Sequence, residues 1–302
     1  MCKKIFVLLL VFLLSSFITL SAKTYKVYYL GGQSNAEGQG RIADLPAELQ
    51  GPVKGVMIYQ GNTGLDGTPV DGRGLWTELK PGHGGGFRSD GVTNKYGNKI
   101  GLELSFARRM LELDSTANIA IIKYARGGSS IDSLATGQWG CWEPDYRQKG
   151  GINQYDHFLA TLRNAFAVAD IDGDGETDTL IPAGILWMQG ESDSAFSEEI
   201  ARRYEAHLKR LMDLIRAALR RDDLPVIIGR ISDSGKNGRN VWKYCDIVRQ
   251  CQADYVAHDG YAALATGTDN YGYSDPYHYN AQGYIDMGKE FAEKLFVLQQ
   301  KF

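Results

Sequence analysis

A serine and a histidine at opposite ends of the chain are placed where an acyl-transfer reaction would need them. Ser34 lies in LGGQSNAEGQG, directly after the run TYKVYY, and a Gly-Gly turn after a strand can present the next side chain at the edge of a sheet. A serine hydroxyl is a weak nucleophile until a base takes its proton, and the base needs a third group to orient it. SDPYHYN offers both, because Asp275 and His278 are three residues apart and can lie on one side of a tight turn. We therefore predict a triad of Ser34, His278 and Asp275.

Acyl transfer also needs hydrogen-bond donors aimed at the developing oxyanion. The backbone amide of Ser34 is one such donor, and Gly127 or Gly128 in ARGGSSI allows the backbone to approach closely with an amide exposed. The side-chain NH₂ of Gln189 in QGESD is a third donor. Further polar residues are expected to brace the site or to line it for substrate: Gln33, Asn35, Glu37, Glu103, Arg126, Glu191 and Asp193.

Four motifs together resemble a known family. GGQSN, RGGSS, WMQGESD and DPYHYN, in that order between residues 31 and 280, resemble the conserved blocks of the SGNH hydrolase superfamily, in particular its carbohydrate-esterase branch with acetylxylan esterases and sialate O-acetylesterases. The resemblance implies the triad and the oxyanion donors named above, with Gln189 standing where many superfamily members carry asparagine. It also implies removal of acetyl groups from carbohydrate through an acetyl-serine intermediate. Two roles are considered for Glu191: it orients Gln189, or it competes with Asp275 as the third member of the triad.

Strands and helices alternate along the chain. The predicted strands are 25–30, 53–59, 118–124, 180–188, 225–231 and 255–258, and the predicted helices are 98–114, 154–169, 196–220, 241–253 and 281–299. This alternation favours parallel pairing with right-handed crossovers and a sheet covered on both faces. We therefore predict an α/β fold, a three-layer α/β/α sandwich with a mainly parallel central sheet, SGNH or flavodoxin-like. All four motifs fall on loops at the carboxyl ends of its strands, where such sheets bind ligands.

The serine does not fit the nucleophile elbow of α/β-hydrolases. That elbow requires Gly-x-Ser-x-Gly, whereas Ala36 stands in place of the last glycine, and it normally follows several strands. Here the serine follows the first predicted strand, which favours the SGNH-type arrangement.

The first 22 residues have the layout of a secretory signal, with two lysines, an unbroken apolar stretch and a small-residue end at Ser21-Ala22. We expect cleavage near Ala22, which leaves one esterase domain over 23–302 and a secreted or periplasmic protein. The alternative is an N-terminal membrane anchor, since the apolar run is nearly long enough to span a bilayer. No other segment is apolar enough to do so, so no stable membrane span is expected after cleavage.

Charge and cysteine content restrict the partners and the covalent links of the chain. A net charge of -3 provides no basic field for nucleic acid, so a neutral or small partner is expected. The family resemblance implies that this partner is an acetylated carbohydrate. The sequence does not indicate an oligomeric state. Export permits a disulfide, but Cys245 and Cys251 are too far apart along one predicted helix to pair with each other. A bond from Cys141 to either of them stays open, and the spacing resembles no zinc site.

An acidic stretch, DIDGDGETD, matches part of a calcium-binding loop. Asp170, Asp172, Asp174 and Asp178 stand at positions one, three, five and nine, with a glycine at position six. Position twelve is Ile181, so the bidentate carboxylate is missing, and a polar turn between a helix and a strand explains the sequence as well. We predict no required cofactor, with a structural calcium ion at these four aspartates as the alternative.

These observations predict an exported, metal-independent esterase that removes O-acetyl groups from carbohydrate. Acetylated xylan or a related plant polysaccharide is the preferred substrate, and an O-acetylated sialic acid is the alternative. Two other hypotheses stay open, a carbohydrate-binding protein of the same fold without catalysis and a lipase or thioesterase for longer acyl chains. The aromatic residues considered for stacking on sugar rings are Trp76, Trp139, Trp142 and Tyr155.

Overall fold

A computed structural model of the chain describes residues 22–63, 69–147 and 152–301. The strands are β1 (Thr24–Gly32), β2 (Gly40–Arg41), β3 (Val56–Gln60), β4 (Trp76–Glu78), β5 (Arg88–Ser89), β6 (Asn94–Lys95), β7 (Lys99–Ile100), β8 (Asn118–Ala125), β9 (Thr179–Met188), β10 (Val226–Gly229) and β11 (Ala262–Ala265). The helices are α1 (Ser34–Glu37), α2 (Glu103–Leu113), α3 (Gln154–Phe166), α4 (Glu198–Arg202), α5 (Tyr204–Ala218), α6 (Cys245–His258) and α7 (Ala281–Gln299).

Seven strands form the central sheet, in the order β11-β10-β9-β1-β8-β3-β4. Every neighbouring pair is parallel except β3 with β4. Strand β1 lies at the centre, with Tyr25 opposite Asn118 of β8 on one side and opposite Leu180 of β9 on the other. The inner strands β3 and β10, β8 after its first residue, and the carboxyl-terminal halves of β1 and β9 are buried without interruption, as is typical of parallel strands covered on both faces, whereas the edge strands β4 and β11 are mostly half-buried. The predicted mainly parallel α/β fold is confirmed.

Helices cover both faces of this sheet. Neighbouring residues on a strand point to opposite faces, so the side chains of Tyr28 and Tyr29 lie on opposite faces of the sheet. The Tyr28 ring packs edge-on against Phe106 of α2, with centroids 5.2 Å apart, and the Tyr29 ring packs against Phe158 of α3 at 4.7 Å. The sheet is therefore the middle layer of a three-layer sandwich, as predicted.

Two of the predicted elements are wrong in detail. The strand predicted at 255–258 is the last turn of α6, and the final strand is β11 a few residues later. A short run such as YVAH satisfies both the helical and the strand period, and Tyr255 is buried on the helix. The helix predicted at 196–220 is divided into α4 and α5, which meet at Arg203.

Residues 1–21 of the predicted signal lie outside the described residues. Within the described part of the chain, no helix has both the length and the apolar character needed to cross a membrane. Cys141, Cys245 and Cys251 are buried free thiols, so neither disulfide that the sequence left open is present. Burial raises the pKa of Cys141 to about 11 and that of Cys245 to about 12, which keeps these thiols protonated at neutral pH.

A buried ion pair connects the long segment between β3 and α2 to the central sheet. Lys123 Nζ lies 2.8 Å from Glu103 Oε2, and neither side chain has exposed area. The same ammonium donates to the backbone carbonyl of His83 at 2.7 Å. Two residues further along, the Gly85 N–H donates to the carbonyl of Gly38 at 2.7 Å. The segment is thus held against the chain that leaves α1, next to the pocket described below.

Candidate active site

The end of β1 places Ser34 at the carboxyl edge of the sheet. Gly32 has φ +136°, and a Cβ there would lie 2.0 Å from the carbonyl oxygen of Met188, so this close passage between β1 and β9 requires glycine. The N–H of Gln33 donates to that same carbonyl at 3.0 Å. Ser34 then begins α1, is 8% exposed, and among the described residues its hydroxyl has no hydrogen-bond partner.

His278 and Asp275 are in direct contact, in the arrangement that the sequence predicted. His278 Nδ1 lies 2.8 Å from Asp275 Oδ2. Asp275 Oδ1 accepts the backbone N–H groups of Tyr277 at 2.8 Å and His278 at 2.9 Å, which closes a tight turn around Pro276. Partial burial raises the pKa of Asp275, but the hydrogen bonds from the imidazole and the backbone outweigh it and hold the pKa below its usual value. An ionised Asp275 places the imidazole proton on Nδ1 and leaves Nε2 as the acceptor.

Ser34 and His278 line the same open pocket, whose volume is about 560 Å³. Gly127 and Gly128 from the loop after β8 also line this pocket, as does Ser192 from the loop after β9. All four sequence motifs therefore meet at one edge of the sheet. Since parallel strands end at the same edge, this convergence follows from the topology.

The two glycines of RGGSS differ in what their amides do. The Gly127 N–H donates to Glu37 Oε2 at 3.0 Å, so it is already used. No described residue accepts the N–H of Gly128, and the same is true of the Ser34 N–H. Gly128 has φ +76°, and a Cβ there would lie 2.2 Å from the Trp139 ring. Of the two candidates that the sequence left open, Gly128 has the available amide.

Gln189 lies on the loop after β9, behind the wall of the pocket. Its side chain is fully buried and is not among the residues that line the pocket. Its Nε2 donates to Asp193 Oδ2 at 2.6 Å and contacts Gln33 Oε1 and the Ser129 carbonyl, each at 3.2 Å. In this arrangement the amide protons of Gln189 are directed to groups inside the protein, and its role as an oxyanion donor stays a prediction.

The acceptors around Gln189, Asp193 and Gln33, also accept hydrogen bonds from the backbone. Asp193 is buried and accepts the backbone N–H groups of Ile131 at 3.0 Å and Asp132 at 2.9 Å. Burial raises the pKa of Asp193 to about 6 against the effect of these hydrogen bonds. Gln33 Oε1 accepts from the N–H groups of Gly190 at 3.3 Å and Ser192 at 3.2 Å as well as from Gln189.

Asn35, which follows Ser34 in the chain, connects this segment to the loop that carries His278. Its Nδ2 donates to Glu191 Oε1 at 2.7 Å and to the carbonyl of Tyr277 at 3.2 Å, and its Oδ1 accepts from the Tyr284 hydroxyl at 2.8 Å. Burial raises the pKa of Glu191, whose second oxygen has no partner among the described residues. Of the two carboxylates considered for the third triad position, only Asp275 contacts His278.

Arg126 brings a cation to the pocket. It lines the cavity, and its guanidinium carbon lies 5.2 Å from the centre of the Trp139 ring. Within the described part of the chain no carboxylate forms an ion pair with it, and its Nε has no hydrogen-bond partner. Arg126 is therefore available to an anionic group of a ligand.

Aromatic side chains border the pocket, although not all of those considered in the sequence. Trp139 is 42% exposed and lines the pocket. Trp142 is fully buried, and Trp76 lines a different cleft, at the amino end of the strands. Sequence reasoning missed Tyr277, which is 48% exposed, and its neighbour Trp242, whose ring centre lies 5.4 Å away. Because Tyr277 directly precedes His278 in the SDPYHYN motif, its position in the sequence was a signal that could have identified it.

The four aspartates of the calcium-like loop lie at the other end of β1. Because β1 has nine residues, that end is about 30 Å from Ser34. Carboxylate oxygens of Asp170, Asp172 and Asp174 lie within 4.8 Å of one another, and the Lys23 ammonium bonds to the last two. Asp178 accepts backbone N–H groups, that of Ile171 at 2.9 Å among them. These contacts fit a polar turn balanced by a lysine, and a structural calcium ion here stays the untested alternative.

The chain matches a family model and resembles several solved structures. Residues 24–297 match a family model described as carbohydrate esterase, sialic acid-specific acetylesterase. No curated protein matches the chain. Among solved structures, a protein from Arabidopsis thaliana has 19% identity and a TM-score of 0.61 over 92% of this chain and 99% of its own.

Two further solved structures resemble the chain to a similar degree. A carbohydrate acetylesterase from Xanthomonas citri has 16% identity and a TM-score of 0.58, covering 91% of this chain and 55% of its own. NanS has 15% identity and a TM-score of 0.59, covering 94% and 100%. At these identities the likenesses show the fold.

Proposed function

Because the chain belongs to the sialic acid-specific acetylesterase family of carbohydrate esterases, we propose that it removes O-acetyl groups from a sugar at the pocket that contains Ser34 and His278. One observation carries the proposal. The Asp275–His278 contact of 2.8 Å orients an imidazole in the same pocket as Ser34, whose hydroxyl accepts from and donates to no described residue.

Each step of the proposed reaction can be assigned to a residue of this pocket. Ser34 Oγ attacks the acetyl carbonyl carbon while His278 Nε2 takes the hydroxyl proton, and ionised Asp275 stabilises the imidazolium through Nδ1. The carbonyl oxygen becomes an oxyanion, which accepts from the N–H groups of Ser34 and Gly128. Collapse of this intermediate breaks the bond to the sugar oxygen, and the imidazolium returns the proton to that oxygen. The sugar hydroxyl leaves and acetyl-Ser34 remains.

Water completes the cycle by the same route. His278 Nε2 removes a proton from a water molecule, which attacks the acetyl carbon of acetyl-Ser34. The second tetrahedral intermediate releases acetate and returns the proton to Ser34 Oγ. Every proton moves through one imidazole, so the reaction draws on no metal ion in this scheme.

The surroundings of the pocket support a carbohydrate ligand. Trp139 and Tyr277 present partly exposed rings beside the triad, and such rings combine a large apolar surface with a polar edge, which suits the mixed faces of a sugar. The pocket is open, as the insertion of a sugar carrying a small acetyl group requires.

Arg126 favours an acidic sugar over a neutral one. A guanidinium binds a carboxylate through two parallel hydrogen bonds, and Arg126 has no carboxylate partner among the described residues. An O-acetylated sialic acid carries such a carboxylate, whereas the acetylated xylose units of xylan do not. We therefore propose O-acetylated sialic acid as the first substrate to test, and acetylated xylan, the substrate that the sequence favoured, becomes the second candidate.

Acetate release is the direct test of this function. We expect the purified protein to hydrolyse p-nitrophenyl acetate and O-acetylated sialic acid, and Ser34→Ala to lower kcat at least about 10³-fold. Ser133→Ala, outside the pocket, is the matched control. Equal rates for wild type and Ser34→Ala would remove the serine mechanism. A preference for octanoyl over acetyl esters would instead indicate a lipase or thioesterase, and faster release from acetylated xylan would reverse the order of the two sugars.

Export is a separate proposal, resting on residues 1–22. N-terminal sequencing of the protein from a secreting host should find a mature chain that begins near Lys23. A protein that retains Met1 and sediments with membranes would indicate the anchor instead.

A further inference from the structure

The pocket contains a third hydrogen-bond donor that the mechanism above leaves unused. We propose that the side-chain NH₂ of Gln33 donates to the oxyanion and that Gln189 and Asp193 act as positioning residues for it. This inference rests on the proposed serine esterase function. It assigns the glutamine of the QGESD loop a supporting role and moves the catalytic contact to the glutamine beside the nucleophile.

The orientation of the Gln33 amide is fixed by three donors. The N–H groups of Gly190 and Ser192 and the Nε2 of Gln189 all point to Gln33 Oε1, at 3.2 to 3.3 Å. Reversing the amide would set its NH₂ against three N–H groups, so the oxygen must face the loop after β9. The NH₂ is then at the opposite end of the amide plane.

That NH₂ has no acceptor inside the protein. No described residue accepts from Gln33 Nε2, and the nitrogen is not among the described polar atoms that are sealed from solvent. Gln33 lines the pocket and directly precedes Ser34 in the chain. A side chain that is 3% exposed but reaches the cavity with an unused donor must meet either water or the substrate there.

A series of hydrogen bonds on the side away from the pocket fixes the orientation of the Gln33 amide. Asp193 accepts from Gln189 Nε2 at 2.6 Å and is itself fixed by two backbone N–H groups. The other end of the Gln189 amide accepts from the Tyr204 hydroxyl at 3.0 Å, so Gln189 is held at both ends. The negative charge of Asp193 polarises Gln189, whose NH₂ in turn polarises the carbonyl of Gln33, and aligned amides of this kind strengthen one another. The result is a better donor facing the pocket.

No bond is made or broken by Gln33. Its NH₂ forms a stronger hydrogen bond to the oxyanion of the tetrahedral intermediate than to the neutral carbonyl of the ester, so its effect appears in kcat more than in KM. With the N–H groups of Ser34 and Gly128, it brings the number of donors to three.

Gln33→Glu is the test variant, because glutamate retains an oxygen for the three donors and replaces only the NH₂. We expect kcat on p-nitrophenyl acetate to fall by about 10² to 10³-fold, with KM changed less than about threefold. Gln39→Glu is the matched control, since Gln39 is a second glutamine on the same pocket, and it measures how much of the loss a new negative charge causes. A loss in Gln33→Glu no larger than that in Gln39→Glu would overturn the proposal.

A second measurement does not depend on turnover and includes a neutral variant. Gln33→Met removes the donor without adding charge, and the binding of a trifluoromethyl ketone, which forms a tetrahedral adduct with the serine, reports on the oxyanion directly. We expect Gln33→Met to weaken the adduct by about 10²-fold while leaving the affinity for acetate within threefold. An adduct as tight as that of wild type would overturn the inference. If Gln33→Met does not fold, Gln33→Glu gives the same measurement.

The positioning role is tested by coupling. Gln189→Met should lower kcat in the wild-type background and should lower it much less when Gln33 is already Glu, because the residue that it orients no longer donates. A purely structural role would give additive losses, which would contradict the positioning assignment. Failure of the inference is distinguishable from failure of the function: if Ser34→Ala abolishes activity while Gln33→Glu matches its control, the serine esterase stands and only the third donor is lost.

Discussion

Replacing Asp275 with asparagine tests the proposed triad at its most exposed member. The carboxylate makes two kinds of contact: Oδ1 accepts the backbone N–H groups of Tyr277 and His278, and Oδ2 contacts His278 Nδ1 at 2.8 Å. Asparagine retains an oxygen for the turn and presents an NH₂ to the ring. The turn is therefore kept, but Nδ1 must become the acceptor, which moves the ring proton to Nε2 and prevents it from deprotonating Ser34.

The size of the effect follows from the exposure of the contact. The same substitution in a buried triad lowers kcat by about 10⁴-fold. Here the Asp275 side chain is 45% exposed, so water supplies part of the lost interaction and lets the ring return to its active tautomer. We expect a loss of about 10² to 10³-fold, which corresponds to about 2.7 to 4 kcal/mol in the barrier. The melting temperature should change by less than about 2 °C, since the turn keeps its hydrogen bonds.

The assay is kcat and KM for p-nitrophenyl acetate, with Glu191→Gln as the matched variant. Glutamine at this position retains an oxygen for Asn35 Nδ2, so the variant tests the other carboxylate with little disturbance. We expect Glu191→Gln to lose less than about tenfold. A kcat of Asp275→Asn within threefold of wild type, or a larger loss in Glu191→Gln, would refute the assignment of Asp275.

Four further predictions address Arg126 in the pocket, two buried charged residues and the acidic loop. Arg126→Gln should lower the ratio of kcat/KM on O-acetylated sialic acid to that on acetylated xylan by about tenfold or more, and an unchanged ratio would count against the acidic substrate. Lys123→Met should lower the free energy of unfolding in urea by about 3 to 5 kcal/mol, because it leaves the Glu103 carboxylate buried without its partner; a loss below 1 kcal/mol would show that the pair is dispensable. Because the pKa of Asp193 is raised to about 6, its protonation contributes about 3 kcal/mol to the free energy of unfolding below about pH 4, and this contribution is lost as the pH rises through 6. Asp193→Asn should lack this pH dependence in urea titrations. Because the Lys23 ammonium already bonds to Asp172 and Asp174, we expect 1 mM calcium chloride to leave the melting temperature unchanged. A rise that a chelator reverses would show that the loop at Asp170 binds calcium.

The parts of the site that the sequence predicted are those that depend on neighbours in the chain. The turn after β1 follows from Gly32, and the Asp275–His278 contact follows from a spacing of three residues. The convergence of the four loops follows from parallel strand order, which alternation of strands and helices already indicates. Each of these needs only local geometry and one general rule of topology.

The parts that were missed depend on contacts between distant segments. Which glycine offers its amide is decided by Glu37, and the direction of the Gln189 amide is decided by Asp193 and Gln33. A pattern of residue types cannot show which end of an amide faces a cavity. Trp242 reaches the pocket from the segment before α6, where no motif precedes or follows it, so the sequence carried no signal for it.

The placement of β1 at the centre of the sheet has a consequence for how the chain is synthesised and assembled. β1 is the first strand to be made, yet both of its neighbours, β8 and β9, come much later, and the acceptor for the Gln33 N–H is the last residue of β9. Pairings so distant in sequence form slowly, since the intervening loop must close first. The turn that carries Ser34 therefore cannot assemble on a nascent chain until Met188 has emerged, so the edge of the sheet that forms the pocket is completed only after β9 has been made.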